Sequence, residues 1–288
     1  MIPRRSVLYL PGANARALDK ARSLPCDALI LDLEDAVAPT SKALAREQVA
    51  EAVREGGYGH REIVVRINGL DTPWGADDLA AVAPLDVEAI LFPKVDTATE
   101  AHSLIERLDQ AGGGRHPVWV MIESPLSVLN VYAIATASPR IATLVLGTSD
   151  LVKDMRARHT PNRSNILFAL QQSVMAARTA GVDVLDGVHL DFRNQESFRQ
   201  ACVDGRDMGF DGKTLIHPSQ IEVANACFGI DDEAVAHAER VLETWRTAVA
   251  DGSGVAELDG QLVENLHAAE AERVIEFARA IQARAGDH

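Results

Sequence analysis

The chain has 288 residues, enough for one large domain or one domain with an appendage. Its 47% hydrophobic and 24% charged residues are ordinary for a globular protein, and no uncharged apolar run approaches the ~20 residues of a membrane span. With 28 Lys+Arg against 42 Asp+Glu the formal charge is -14, which argues against nucleic acid as a partner but not against one local basic site for a phosphorylated cofactor.

In chain order, the opening stretch MIPRRSVLYLPG has two arginines but only a short apolar run ending in Pro-Gly, so it does not read as a signal peptide. Cys26, Cys202 and Cys227 are widely spaced and odd in number, which suits neither a disulfide framework nor a zinc site. Reduced thiols in a cytoplasm are the expectation.

Short apolar runs rich in Val, Ile and Leu recur as expected buried parallel strands: Ser6–Leu10, Ala28–Leu33, Glu62–Ile67, Ala89–Pro93, Val118–Ile122, Ala142–Gly147, Val182–Val188 and Lys213–His217. Amphipathic segments with helical spacing alternate with them, including Ala15–Ser23, Lys42–Glu55, Thr97–Gln110, Pro125–Thr136 and Ile166–Ala180. Glycines such as Gly56-Gly57 and Gly181 supply helix stops. Eight such units in about 230 residues favour a (β/α)₈ TIM barrel over an open doubly wound sheet. The barrel is therefore assigned to residues 1–230.

A different texture follows. Asp231–Ala250 reads as a helix, Ala256–Leu258 and Gln261–Val263 flank an Asp259-Gly260 turn, and Ala268–Arg284 reads as a last helix. Residues 231–288 form a helical and hairpin appendage. It is expected to be too small for its own core and to pack on this barrel or on a neighbouring subunit's.

In a barrel of this kind chemistry sits at the C-terminal ends of the strands. Glu123 and Asp150 end neighbouring predicted strands, about 4.8 Å apart. Two carboxylates that close repel unless a cation or proton lies between them, and a hard cation such as Mg²⁺ suits two carboxylates completed by water and substrate oxygens. The competing reading is that each carboxylate caps the helix that follows. For the first of these helices, Ser124-Pro125 already looks like an N-cap with Pro at N1.

Arg66 closes the third strand and would face an anion or a carbonyl oxygen, or else pair with Asp32 or Glu34 on the neighbouring strand. Asp32, Glu34 and Asp35 read as partners for Arg and Lys around the site. His217 is a candidate acid/base, although a lone His is more often a satisfied hydrogen-bonding residue. Lys94 sits where a Schiff-base lysine would, with pairing to a rim carboxylate as the ordinary outcome.

Six stretches carry a resemblance that runs nearly end to end. They are SVLYLPG at 6–12 with Lys20, LDLEDAV at 31–37, VRINGLDTP at 65–73, IES at 122–124, LGTSD at 146–150 and GFDGKTLIHP at 209–218. In this order and spacing they resemble the citrate lyase β-subunit and malyl-CoA lyase family of CoA-ester lyases, close to its stand-alone malyl-CoA lyase and thioesterase members. The resemblance implies a (β/α)₈ barrel, Mg²⁺, an acyl-CoA substrate and a homotrimer. It implies Glu123 and Asp150 as metal ligands and Arg66 as the group holding substrate oxygens. It puts Tyr9 and Lys20 at CoA-binding positions, with Ser149, Ile216 and His217 lining the substrate site.

Two departures from the family pattern stand out. Asn14 replaces an arginine that helps bind CoA in similar malyl-CoA lyases. Glu264, in GQLVE at 260–264, replaces an Asp supplied to a neighbour's active site. The variant VENLH at 263–267 is similar to members described as malyl-CoA thioesterases.

The implied activity is cleavage or formation of the C–C bond of a small 3-hydroxyacyl-CoA, such as malyl-, citramalyl- or citryl-CoA, by Claisen chemistry. Arg66 would stabilise the thioester enolate and Glu264 would move a proton. Three alternatives remain. One is hydrolysis of a malyl-CoA thioester in the same site. Another is action on an acyl-carrier-protein thioester with partner subunits. The third is a non-catalytic barrel that binds CoA esters.

Overall fold

The computed structural model describes residues 1–285, so the last three residues of the expected appendage lie outside the described residues. Eight parallel strands close into a barrel: β1 Ser6–Pro11, β2 Ala28–Asp32, β3 Glu62–Arg66, β4 Ala89–Phe92, β5 Val118–Ile122, β6 Ile141–Leu146, β7 Asp183–Asp186 and β8 Gly212–Leu215. They pair in chain order, and β1 closes on β8 with Val7 opposite Thr214. Every residue of β2 to β5 is buried, because one face points into the barrel and the other meets helices. Alternation divides the two faces: Ile30, Val64, Leu91, Trp119, Met121, Val145 and Leu185 fill the interior. Their neighbours Leu29, Leu31, Val65, Ile90, Val120, Leu144 and Val184 join the layer under the helices.

The barrel's helices are α1 Ala15–Lys20, α2 Lys42–Glu55, α3 Gly75–Val82, α4 Ala98–Gln110, α5 Pro125–Leu129, α6 Val131–Ala135, α7 Thr148–Asp154, α8 Leu167–Ala180, α9 Gln195–Met208 and α10 Ile221–Cys227. Four of the expected helices change at their ends or middle, one of them by a single residue, since Ile166 is the N-cap of α8. The first stops at Lys20, with a 3₁₀ turn after it. Thr97 is the N-cap of α4, in a reciprocal capping box with Glu100. The expected Pro125–Thr136 helix breaks at Asn130, whose side-chain amide donates to Asp96 O at 2.9 Å. The seventh strand ends at Asp186, so His189 lies in the loop beyond it.

Arg4–Phe228 form one compact unit, and Met1–Pro3 together with the chain from Gly229 form another. In the second unit, α11 Asp232–Ala250, the hairpin β9 Ala256–Leu258 and β10 Gln261–Val263, and α12 Asn265–Ala285 follow one another. Asp259 and Gly260 turn the hairpin with φ of +53° and +78°, the two left-handed positions that an Asp-Gly turn supplies. Contrary to expectation, this unit buries a small cluster of its own: Ala238, Val241, Leu242, Val263, Ala268, Ala271 and Ile275. Among the described residues no helix is long and apolar enough to cross a membrane.

Candidate active site at the barrel mouth

Arg66 is the last residue of β3 and points into the barrel. Its register partner on β2 is Asp32, which receives Nε and Nη2 in two parallel hydrogen bonds of 2.7 Å. Nη1 lies 2.8 Å from Glu34 Oε2, and the guanidinium sits 4.8 Å above the Tyr9 ring. The structural pairing read from the sequence is therefore present. The guanidinium is buried at 7% exposure, and neighbouring carboxylates hold it charged.

Burial pushes Glu34 up to about 7, with Arg66 opposing that shift. Burial likewise pushes Tyr9 upward. Lys42 Nζ anchors the segment after β2, donating to Leu33 O, Glu34 O and Asn68 Oδ1, each at 2.7 Å. The Asn68 side chain in turn donates to Leu33 O and Asp78 Oδ2. This network fixes the acidic cluster, and no single motif residue pointed to it.

Glu123 follows β5 directly, and Asp150 lies in the first turn of α7, just beyond β6. Strand pairing runs up to Ile122 opposite Leu146, which sets Glu123 beside Gly147. A Cβ on Gly147 would lie 2.3 Å from Glu123 Cβ and 2.6 Å from Oε2, so the glycine makes room for the carboxylate. Glu123 is almost fully buried, and burial raises its pKa against the pull of Lys94. It does not cap α5: Ser124 does, accepting from Ser127 N at 2.9 Å, with Pro125 at N1. The carboxylate is thereby left for other work.

One cation joins the pair. Lys94 Nζ donates to Asp150 Oδ2 and lies 3.6 Å from Glu123 Oε2, while its own backbone N–H donates to Glu123 Oε1 at 2.7 Å. Lys94 makes this double approach from a left-handed φ of +55°.

Among the described residues no group of three His, Cys, Asp or Glu side chains converges on one point. The donor set is thus two carboxylates meeting at one cation position. That suits a hard divalent ion completing its shell with water and substrate oxygens, and it does not suit zinc. All three cysteines are buried and free, and burial lifts the thiols of Cys26 and Cys202 to about 12, so neither is a nucleophile.

The other sequence candidates are more loosely placed. Tyr9 is inside the barrel with its hydroxyl 3.5 Å from Met121 Sδ. Ser149 is exposed beside Asp150, and Ile216 is 38% exposed just past β8. His217 stacks on Phe192 at 4.7 Å and caps the next turn by accepting from Ser219 N, the ordinary satisfied role for a lone His. Lys20 is exposed in the last turn of α1, and Asn14 caps that helix by accepting from Ala17 N at 3.1 Å. Glu264, at the start of α12 in the second unit, has its backbone N–H on His267 Nδ1 at 3.0 Å.

Comparison with known proteins extends the geometry. A family profile described as HpcH/HpaI aldolase/citrate lyase matches residues 5–218. The (3S)-malyl-CoA thioesterase of Cereibacter sphaeroides (strain KD131) is 44% identical over 281 residues, covering 98% of this chain and 96% of that one. Citrate lyase subunit beta of Escherichia coli (strain K12) is 37% identical over 288 residues, covering 98% and 93%. Among solved structures, protein CitE from Mycobacterium tuberculosis in complex with magnesium, acetoacetate and coenzyme A superposes with a TM-score of 0.78 at 28% identity, over 96% of this chain and 98% of that one. A citrate lyase from Burkholderia xenovorans LB400 shares the fold at a TM-score of 0.85 and 20% identity, over 98% and 93%.

Proposed function

The chain belongs to the HpcH/HpaI aldolase/citrate lyase family, and on that premise we propose that it acts on a small 3-hydroxyacyl-CoA of the malyl-CoA type with Mg²⁺ as cofactor. The observation that carries the proposal is the meeting of Glu123 and Asp150 on one cation position beside a buried Arg66, at the mouth of the barrel. Hydrolysis of the thioester is the first reading, favoured by the 44% identity to a malyl-CoA thioesterase along nearly the whole chain. Claisen cleavage of the C–C bond is the second, favoured by the likeness to citrate lyase subunit beta.

Glu123 and Asp150 would hold Mg²⁺, which when bound supplies Lewis-acid stabilisation of oxygen charge. Beyond its two bonds to Asp32 and its contact with Glu34, the five-donor guanidinium of Arg66 keeps N–H groups that would hold the substrate's carbonyl or carboxylate oxygen. Because Asp32 clamps the guanidinium in advance, it loses little freedom when the substrate binds, as preorganised electrostatic stabilisation requires. Tyr9 would support Arg66 from below. Lys20, Ser149, Ile216 and His217 would line the path of the CoA ester.

Glu264 would supply the mobile proton or activate water. We place it across a subunit boundary in a homotrimer, with the appendage from residue 231 onward packing on a neighbour. Exposed Val249, Val255, Leu262 and Leu266 give that unit apolar surface to bury.

Products decide between the two reactions. Incubating purified protein and Mg²⁺ with (3S)-malyl-CoA should release malate and free CoA if it hydrolyses, and glyoxylate and acetyl-CoA if it cleaves. Neither pair of products would overturn the malyl-type substrate. Mixing Glu264→Ala subunits with Arg66→Ala subunits should recover part of the activity that each lacks. No recovery in verified mixed oligomers would place Glu264 within its own subunit or outside catalysis.

A further inference from the structure

The carboxylate pair at the mouth already holds a cation, and that cation is the protein's own. Two like charges converging this closely need a positive partner, and the Lys94 ammonium reaches both. Its stem starts one hydrogen bond away, since the Lys94 backbone N–H is bound to Glu123 Oε1. A tether this short gives the ammonium a high effective concentration at the pair. Lys153 also approaches Asp150, at 3.7 Å, but its side chain is 77% exposed and lies 3.9 Å from Asp154 as well.

We propose that Lys94 is a built-in competitor for the metal: its ammonium binds Glu123 and Asp150 together in the metal-free protein and must swing away before a divalent cation can take both. The inference rests on the metal reading of that pair. An ammonium and a divalent ion at one position repel, so the two occupancies exclude each other. If the closed, Lys-bridged form makes up about 90% of the metal-free protein, apparent metal affinity is reduced about tenfold. The half-exposed lysine side chain has solvent to move into.

The test is calorimetric titration of Mg²⁺ into the full chain, comparing wild type with Lys94→Met, Lys94→Gly and Asp150→Asn. The glycine variant suits the left-handed backbone and keeps the N–H to Glu123, so it guards against a methionine variant that fails to fold. Both Lys94 variants should bind Mg²⁺ about tenfold tighter or more, with a larger Mg²⁺-induced rise in Tm than wild type. Unchanged or weaker binding in the folded Lys94 variants, with binding lost in Asp150→Asn, would overturn the competition and leave the metal pair standing. Binding that Asp150→Asn leaves intact, or no binding in any protein, would overturn the metal pair and the competition together.

Discussion

The barrel carries an arginine plug at each end, and the two differ in what surrounds them. At the N-terminal end Arg4 lies 5.1 Å over the Trp119 ring, donates twice to Glu62 at 2.8 Å and pairs with Asp183. At the C-terminal end Arg66 lies 4.8 Å over Tyr9 and donates twice to Asp32. Both are buried, bidentate and stacked on an aromatic ring. A forked arginine at a strand end is therefore no mark of function by itself. Around Arg4, Glu62 and Asp183 exceed the one guanidinium by a single charge. Around Arg66, five carboxylates (Asp32, Glu34, Asp35, Glu123 and Asp150) stand among Arg66, Lys94, Lys42 and Lys153, so net charge does not separate the ends. What does is pairing: at the mouth two carboxylates, Glu123 and Asp150, converge on one cation position, which suits a divalent cation.

Substitutions at the two plugs should separate along this line. Arg4→Met would leave Glu62 and Asp183 without their buried partner, at a cost of roughly 3–5 kcal/mol. A Tm lower by on the order of 10 °C, with kcat/KM at 25 °C within about twofold of wild type, is the expected result by thermal melts and steady-state assay. A large loss of kcat/KM in the folded variant would erase the contrast between the ends.

Arg66→Lys keeps the charge and loses the fork. It should lower kcat/KM by about 10²-fold or more while the protein stays folded. Unchanged kinetics would give both plugs the same structural role.

The smallest expected effect concerns Glu34, whose folded pKa of about 7 lies above the ordinary 4.5. In the unfolded chain it therefore loses its proton first. Its contribution favours the folded state at low pH and is lost as pH rises from about 4.5 through about 7. Glu34→Gln should flatten that part of the metal-free stability profile by roughly 2–3 kcal/mol, read by denaturant melts between pH 5 and 8. An identical profile in the variant would mean that Glu34 is not the titrating group.

Much of this was legible in the residues. Strand positions followed from apolar runs rich in Val, Ile and Leu, and the Asp259-Gly260 turn followed from a dipeptide that suits two left-handed residues there. Ser124-Pro125 announced a helix start, which removed capping as the job of Glu123. The break at Asn130 was not legible, because the apolar spacing continues through it and the cause is a tertiary bond to Asp96 O. The small core of the second unit was missed for a related reason: alanines at 238, 268 and 271 count for little in a hydrophobic pattern but pack closely between helices. Lys94 was seen as a rim lysine with carboxylate partners. Its bridging of the pair depends on a backbone angle that no local residue pattern signals.

Gly147 sets a limit for anyone reshaping this pocket. It has no side chain to mutate away, yet the smallest possible enlargement there collides with Glu123. A library that varies only the polar residues of the mouth would leave this wall untouched, and a library that includes position 147 should return glycine almost alone. On the β6 side, exposed Ser149 can be varied, whereas position 147 is closed to redesign by a single hydrogen atom.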